Sequence, residues 1–99
     1  MNREEILSHV DHTLLKPEAT WPQIQTLCDE AIANHTASVC INTCYVKQAV
    51  EYMAGRCKVK AAGGISTVDD MEKVLALGAD RLGTSRAVKI LNGEQAKGY

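Results

Sequence analysis

Phenylalanine is absent from this 99-residue chain, and aromatic residues make up only 4% of it. A core must therefore be built from Val, Ile, Leu, Met and Ala, with Trp21 and three tyrosines at its margins. An excess of charge is also lacking. The 11 basic and 12 acidic side chains leave a net charge of −1, which gives no electrostatic footprint for nucleic acid. Apolar runs extend only a few residues, so no membrane-spanning helix is expected. The opening Met1-Asn2-Arg3-Glu4-Glu5 has no apolar stretch of the secretory kind, and the expected compartment is the cytoplasm. Paired C-x-x-C spacing is missing among Cys28, Cys40, Cys44 and Cys57. With His9 and His12 near in sequence a zinc site is conceivable, but reduced thiols packed as small apolar groups fit the spacing better. No metal and no cofactor is expected.

What is present is ordinary globular material, 45% hydrophobic and 23% charged. The length allows one domain, residues 1–99, with a thin stability margin. Asn2-x-x-Glu5 caps a short first helix. Residues 9–15, His-Val-Asp-His-Thr-Leu-Leu, lean towards a strand that ends at Lys16-Pro17. Thr20-x-x-Gln23 opens a helix whose apolar positions, Ile24, Leu27, Cys28, Ala31 and Ile32, share one face. Residues 37–42 read as a strand, and Val46, Ala49, Val50 and Met53 as a helix stopped by Gly55. Residues 58–62 form a strand running into Gly63-Gly64. Ser66-x-x-Asp69 caps a helix with Met71, Val74 and Leu75 that stops at Gly78. Residues 81–84 form a brief strand, and Ser85 to Leu91 a last helix ended by Asn92-Gly93. The tail, 94–99, reads as mobile. One helix followed by four strand–helix units implies an α/β fold with parallel strands and right-handed crossovers. An open dinucleotide-binding sheet is the competitor, but its glycine fingerprint is missing from Asp11–Pro17.

Strand alternation sets Lys58, Lys60 and Ala62 on one face and Val59 and Ala61 on the other. If the apolar face packs on helices, Lys60 points inward and needs a partner or a task, and Asp11 on the first strand is the candidate partner. Spacing alone leaves a structural Lys–Asp pair and a catalytic lysine both open. Cys40 shares a face with Ser38 and Asn42. Nothing local activates it, and a small interior residue is the simpler reading. His12 alternates away from Asp11, towards the helices. Gly63-Gly64 and Gly83, with Thr84 and Ser85, precede helices, where backbone N–H groups bind phosphate. They can equally be turn glycines with positive φ.

Four motifs together resemble the 2-deoxyribose-5-phosphate aldolase family. His9-x-Asp11-His12-Thr13-x-Leu15-x-Pro17 is similar to the family's opening. Residues 37–42 with Tyr45-Val46 resemble its second strand, Val59-Lys60-Ala61-Ala62-Gly63-Gly64-Ile65 its seventh, and Arg81-Leu82-Gly83-Thr84-Ser85 its eighth. Tyr99 is similar to a terminal tyrosine of some members. The resemblance implies a (β/α)8 barrel fold and the metal-free, Schiff-base cleavage of 2-deoxy-D-ribose 5-phosphate to acetaldehyde and D-glyceraldehyde 3-phosphate, a step in deoxyribonucleotide catabolism.

Such barrels take roughly 250 residues. This chain matches the first two units (1–54) and the last two (57–93), and the Val-Lys-Thr-Ser-Thr-Gly motif carrying the family's Schiff-base lysine is absent. The resemblance makes Lys60 and Asp11 the catalytic candidates, and Cys40, Gly63, Gly64, Gly83, Thr84, Ser85 and Arg86 the substrate and phosphate positions. The expected ligand is a phosphorylated sugar or a phosphate ion. The expected architecture is a half-barrel in the order 7-8-1-2, with 38–42 and 58–62 as its edges, which pair in a homodimer. An aldolase of impaired activity and a non-catalytic phosphosugar-binding or structural half-barrel are the two readings of the function.

Overall fold

The computed structural model describes residues 1–85 and 87–96. In chain order these form α1 (Arg3–Leu7), β1 (Asp11–Leu14), α2 (Trp21–Asn34), β2 (Ser38–Asn42), a 3-10 turn (Thr43–Tyr45), α3 (Val46–Met53), β3 (Lys58–Ala62), α4 (Val68–Ala76), β4 (Arg81–Gly83) and α5 (Ala87–Ala96). Local sequence explains most starts. The Asn2 side chain accepts from the Glu5 amide at 2.8 Å, and Gln23 reaches back to the Thr20 amide at 2.9 Å. Among the described residues no helix is long and apolar enough to cross a membrane.

Two helix boundaries differ from the sequence expectation. α4 is capped by Thr67 and Asp70, one residue beyond Ser66 and Asp69. One Asp70 oxygen accepts from the Ser66 amide, the Ser66 hydroxyl and the Thr67 amide at 3.0–3.2 Å, while Asp69 faces outward and pairs with Lys73 at 2.9 Å. α5 does not stop at Asn92-Gly93 but continues to Ala96. An interior glycine costs about 1 kcal/mol relative to alanine, which a further hydrogen-bonded turn offsets. Of the tail expected to be mobile, residues 94–96 are helical, and 97–99, with Tyr99, lie outside the described residues.

All four strands are parallel in one open sheet, so the α/β half-barrel is borne out. The strand order is not the expected one. The sheet runs β1-β2-β3-β4, with β2 and β3 paired from Ser38↔Lys58 to Asn42↔Ala62. The 7-8-1-2 order would instead seat β4 beside β1. The connection explains the difference. Only residues 54–57 separate α3 from β3, and Ala54 (φ 47°) and Gly55 (φ 80°) turn the chain back at once. A crossover so short returns the next strand to the side of the last one. The open edges are therefore β1 and β4, not 38–42 and 58–62.

The core lies on one side of the sheet, where Val39, Ile41, Val59 and Ala61 meet Ile24, Leu27, Cys28 and Ala31 of α2, Val46, Ala49 and Met53 of α3, and Met71 and Val74 of α4. Alternation then assigns Asp11, Thr13, Ser38, Cys40, Lys60 and Arg81 to the other, helix-free side.

Gly78, between α4 and β4, has φ +106°, and a Cβ there would lie 2.8 Å from Val50 Cγ1 of α3. Backbone strain and overlap then act together in Gly78→Ala, with an expected loss of about 2 kcal/mol or more. Urea unfolding checks this, and an unchanged midpoint would contradict it.

Candidate active site

Lys60 sits in the middle of β3, and its ammonium crosses β2 to reach Asp11 on β1, with Nζ 3.3 Å from Oδ2. The two side chains are 29% and 33% exposed, so the pair is shielded but wet. The other Asp11 oxygen accepts from the buried Ser38 hydroxyl and lies 3.9 Å from an Arg81 guanidinium nitrogen. The hydrogen bond from Ser38 is the main cause holding the Asp11 carboxyl below its ordinary pKa. Lys60 and Arg81 act in the same direction, and partial burial opposes them.

Gly83, which pairs with Ala62 on β4, leaves room for this lysine, since a Cβ at that position would lie 2.9 Å from Lys60 Cε. Cys40 lies between Thr13 and Lys60 in the strand register and is only 5% exposed. Burial pushes its thiol pKa up, against the pull of the Lys60 charge and of Thr13. It is thus a packed thiol on the floor of the site rather than a ready thiolate. Burial likewise raises Cys28, to about 11. All four cysteines are free thiols, and among the described residues no three metal-ligating side chains converge.

Above this face the strand C-termini gather. Gly63 (φ +83°) and Gly64 (φ +71°) follow β3, and their missing Cβ atoms would lie 3.7 Å from Asn42 Oδ1 and 3.5 Å from Thr43 Oγ1. Asn42 in turn donates to the Lys16 carbonyl at 3.0 Å, tying the end of β2 to the loop after β1. Positive φ explains both glycines as turn residues. Gly83, Thr84 and Ser85 lead from β4 towards α5, and Arg86 lies outside the described residues. The α4 N-terminus is less open to an anion than its sequence suggests, because Asp70 accepts from the Ser66 and Thr67 amides. Those bonds hold the Asp70 carboxyl below its ordinary pKa, the Ser66 amide contributing most.

The structure brings Lys60, Asp11 and Cys40 together, as strand alternation implies. His12 points to the helices and meets Glu30 of α2 at 3.0 Å, also as expected. Sequence reasoning passed over Ser38 and Arg81. Ser38 shares the Cys40 face by alternation, and Arg81 shares that of Gly83, so the signal was there, but only the strand order shows that both converge on Asp11.

Asp11→Asn is expected to lower stability by about 1 kcal/mol at neutral pH. A carboxyl held low in the folded state stabilises above its unfolded pKa and loses that contribution as pH falls through the folded value. The difference between wild type and variant should therefore shrink below about pH 4, where carboxylates protonate. A difference that grows on acidification in urea titrations would contradict the assignment.

No family model matches the chain. Individual relatives do. It is 43% identical over 90 residues to the deoxyribose-phosphate aldolase of Streptococcus pyogenes serotype M4, covering 83% of this chain and 40% of that protein. It is 60% identical over 48 residues to the enzyme of that name from Clostridium botulinum strain Eklund 17B, covering 48% of this chain and 22% of that one. A solved structure described as a deoxyribose-phosphate aldolase from Coccidioides immitis superposes with a TM-score of 0.75 at 31% identity, covering 83% of this chain and 36% of that one. The enzyme of Aeropyrum pernix, at 22% identity and a TM-score of 0.74, shares the fold. The chain spans two fifths or less of the length of these sequence relatives. Sequence and fold agree that the chain belongs to the deoxyribose-phosphate aldolase family.

Proposed function

We propose that the chain is a cytoplasmic, phosphosugar-binding half-barrel that self-associates and keeps a weak, lysine-based aldolase chemistry towards 2-deoxyribose 5-phosphate. The observation that carries this reading is the Lys60–Asp11 pair at 3.3 Å on the helix-free face, beneath the Gly63–Gly64 turn. A primary amine there can add to an aldehyde carbonyl. Loss of water then gives the iminium that stabilises the carbanion left by carbon–carbon cleavage. The same pair limits the rate. An ammonium in an ion pair has no lone pair until it loses a proton, and a carboxylate held below its ordinary pKa is a weak base for that step. Retro-aldol turnover is thus slow.

Acetaldehyde with borohydride is expected to label Lys60, as mapped by peptide mass spectrometry, and Lys60→Ala to remove that label. Undiminished labelling at other lysines in the variant, with none at Lys60 in the wild type, leaves binding without chemistry as the function.

The phosphate is proposed to meet backbone N–H groups of the Gly63–Gly64 turn and of the Gly83–Ser85 segment. Gly64→Pro removes one N–H and demands a φ near −65°, where the turn has +71°. Inorganic phosphate should raise the wild-type unfolding midpoint and leave the variant's nearly unmoved. Equal shifts would count against the site.

A further inference from the structure

The open face holding Lys60 and Asp11 is half of an enclosure, and the two sheet edges bordering it are β1 and β4. Both edges expose strand backbone that invites pairing. Resting on the self-association proposed above, we infer that a second copy of this chain closes the barrel through two equivalent β4–β1 seams, and that the Arg81 of each copy completes the Asp11 site of the other.

Three observations point to a second copy. The sheet has four parallel strands, and a two-fold rotation about the barrel axis preserves strand direction, so two copies give eight parallel strands with no edge left. Charge is complementary at the seam. Arg81 opens β4, Asp11 opens β1, and β4 of one copy would lie beside β1 of the next. Within one chain the same two residues stand on opposite edge strands, three strands apart in the sheet order, and the Arg81 guanidinium reaches the Asp11 carboxylate only at 3.9 Å. Across a seam they are on neighbouring strands. Apolar side chains are also exposed in the segments next to both edge strands in sequence. Val88 (73%) and Leu91 (44%) lie on α5, after β4, while Ile6 (52%) and Leu15 (40%) flank β1. Burial of these side chains supplies the apolar part of an interface. Closure also shields the Lys60–Asp11 pair from bulk water, which strengthens its electrostatics.

Sedimentation of the full chain tests this with a charge exchange. The wild type is expected at twice the 10.8 kDa chain mass at micromolar concentration. Arg81→Glu alone sets like charges against each other at both seams, as does Asp11→Arg alone, and each should shift towards monomer with its helical circular dichroism retained. An equimolar mixture of the two variants has opposite charges at both seams and should recover the dimer. Intrachain contacts are unchanged by mixing, so recovery reports the seam alone. A wild type that is a compact, cooperatively unfolding monomer would overturn the inference, as would a dimer that the variants leave intact or that mixing fails to restore. Mass is read without substrate, so loss of phosphate or aldehyde binding bears on the function and not on this seam.

Discussion

The pairing of β2 with β3 is the constraint on which the rest of this structure depends. It runs over five residues of each strand and aligns Cys40 with Lys60. With that register, Lys60 stands two strands from Asp11, its side chain crosses β2 to bring the ammonium to the carboxylate, and Gly83 on the following strand leaves space for the stem. Ser38, on the intervening strand, donates to the same carboxylate from beneath. Had β3 been an edge, Asp11 would have lain beyond other neighbours and the cluster would have had a different composition.

The same pairing decides which surfaces remain unsatisfied. Val39 and Ile41 opposite Val59 and Ala61 form the apolar centre against which α2 and α3 close, and that side of the sheet is complete. The opposite side carries a lysine, an aspartate, an arginine and a packed thiol, and is bordered by two edge strands, each paired on one side only. A small core with a polar, half-shielded face and two free edges is marginal as a monomer. On the proposed closure, stability and the surroundings of the ion pair are linked, because the enclosure that would dry the pair also removes the edges.

Much of this was legible in the sequence. Strand alternation assigned Lys60, Asp11 and Cys40 to one face and His12 to the other, because a period of two is unambiguous when Val59 and Ala61 alternate with lysines. Helix starts with a capping residue and its reciprocal partner were found to within a residue. The sequence did not disclose strand order, since position in a sheet depends on how far a connection reaches, and the four residues after α3 were read only as a break. Nor did it distinguish Asp69 from Asp70 as the capping carboxylate, because both fit the spacing and only packing separates them. The chemistry of the Gly63–Gly64 turn stays double in sequence and structure alike, as positive φ serves a plain turn and an anion cradle equally well.

The most direct test of this account is the set of interstrand nuclear Overhauser contacts in a sample mixing isotope-labelled and unlabelled chains. The account predicts that contacts joining Val39 with Val59 and Ile41 with Ala61 arise within one chain, and that contacts between β4 and β1 arise only between chains. The reverse pattern, with β4–β1 contacts within a chain and β2–β3 contacts between chains, would contradict it.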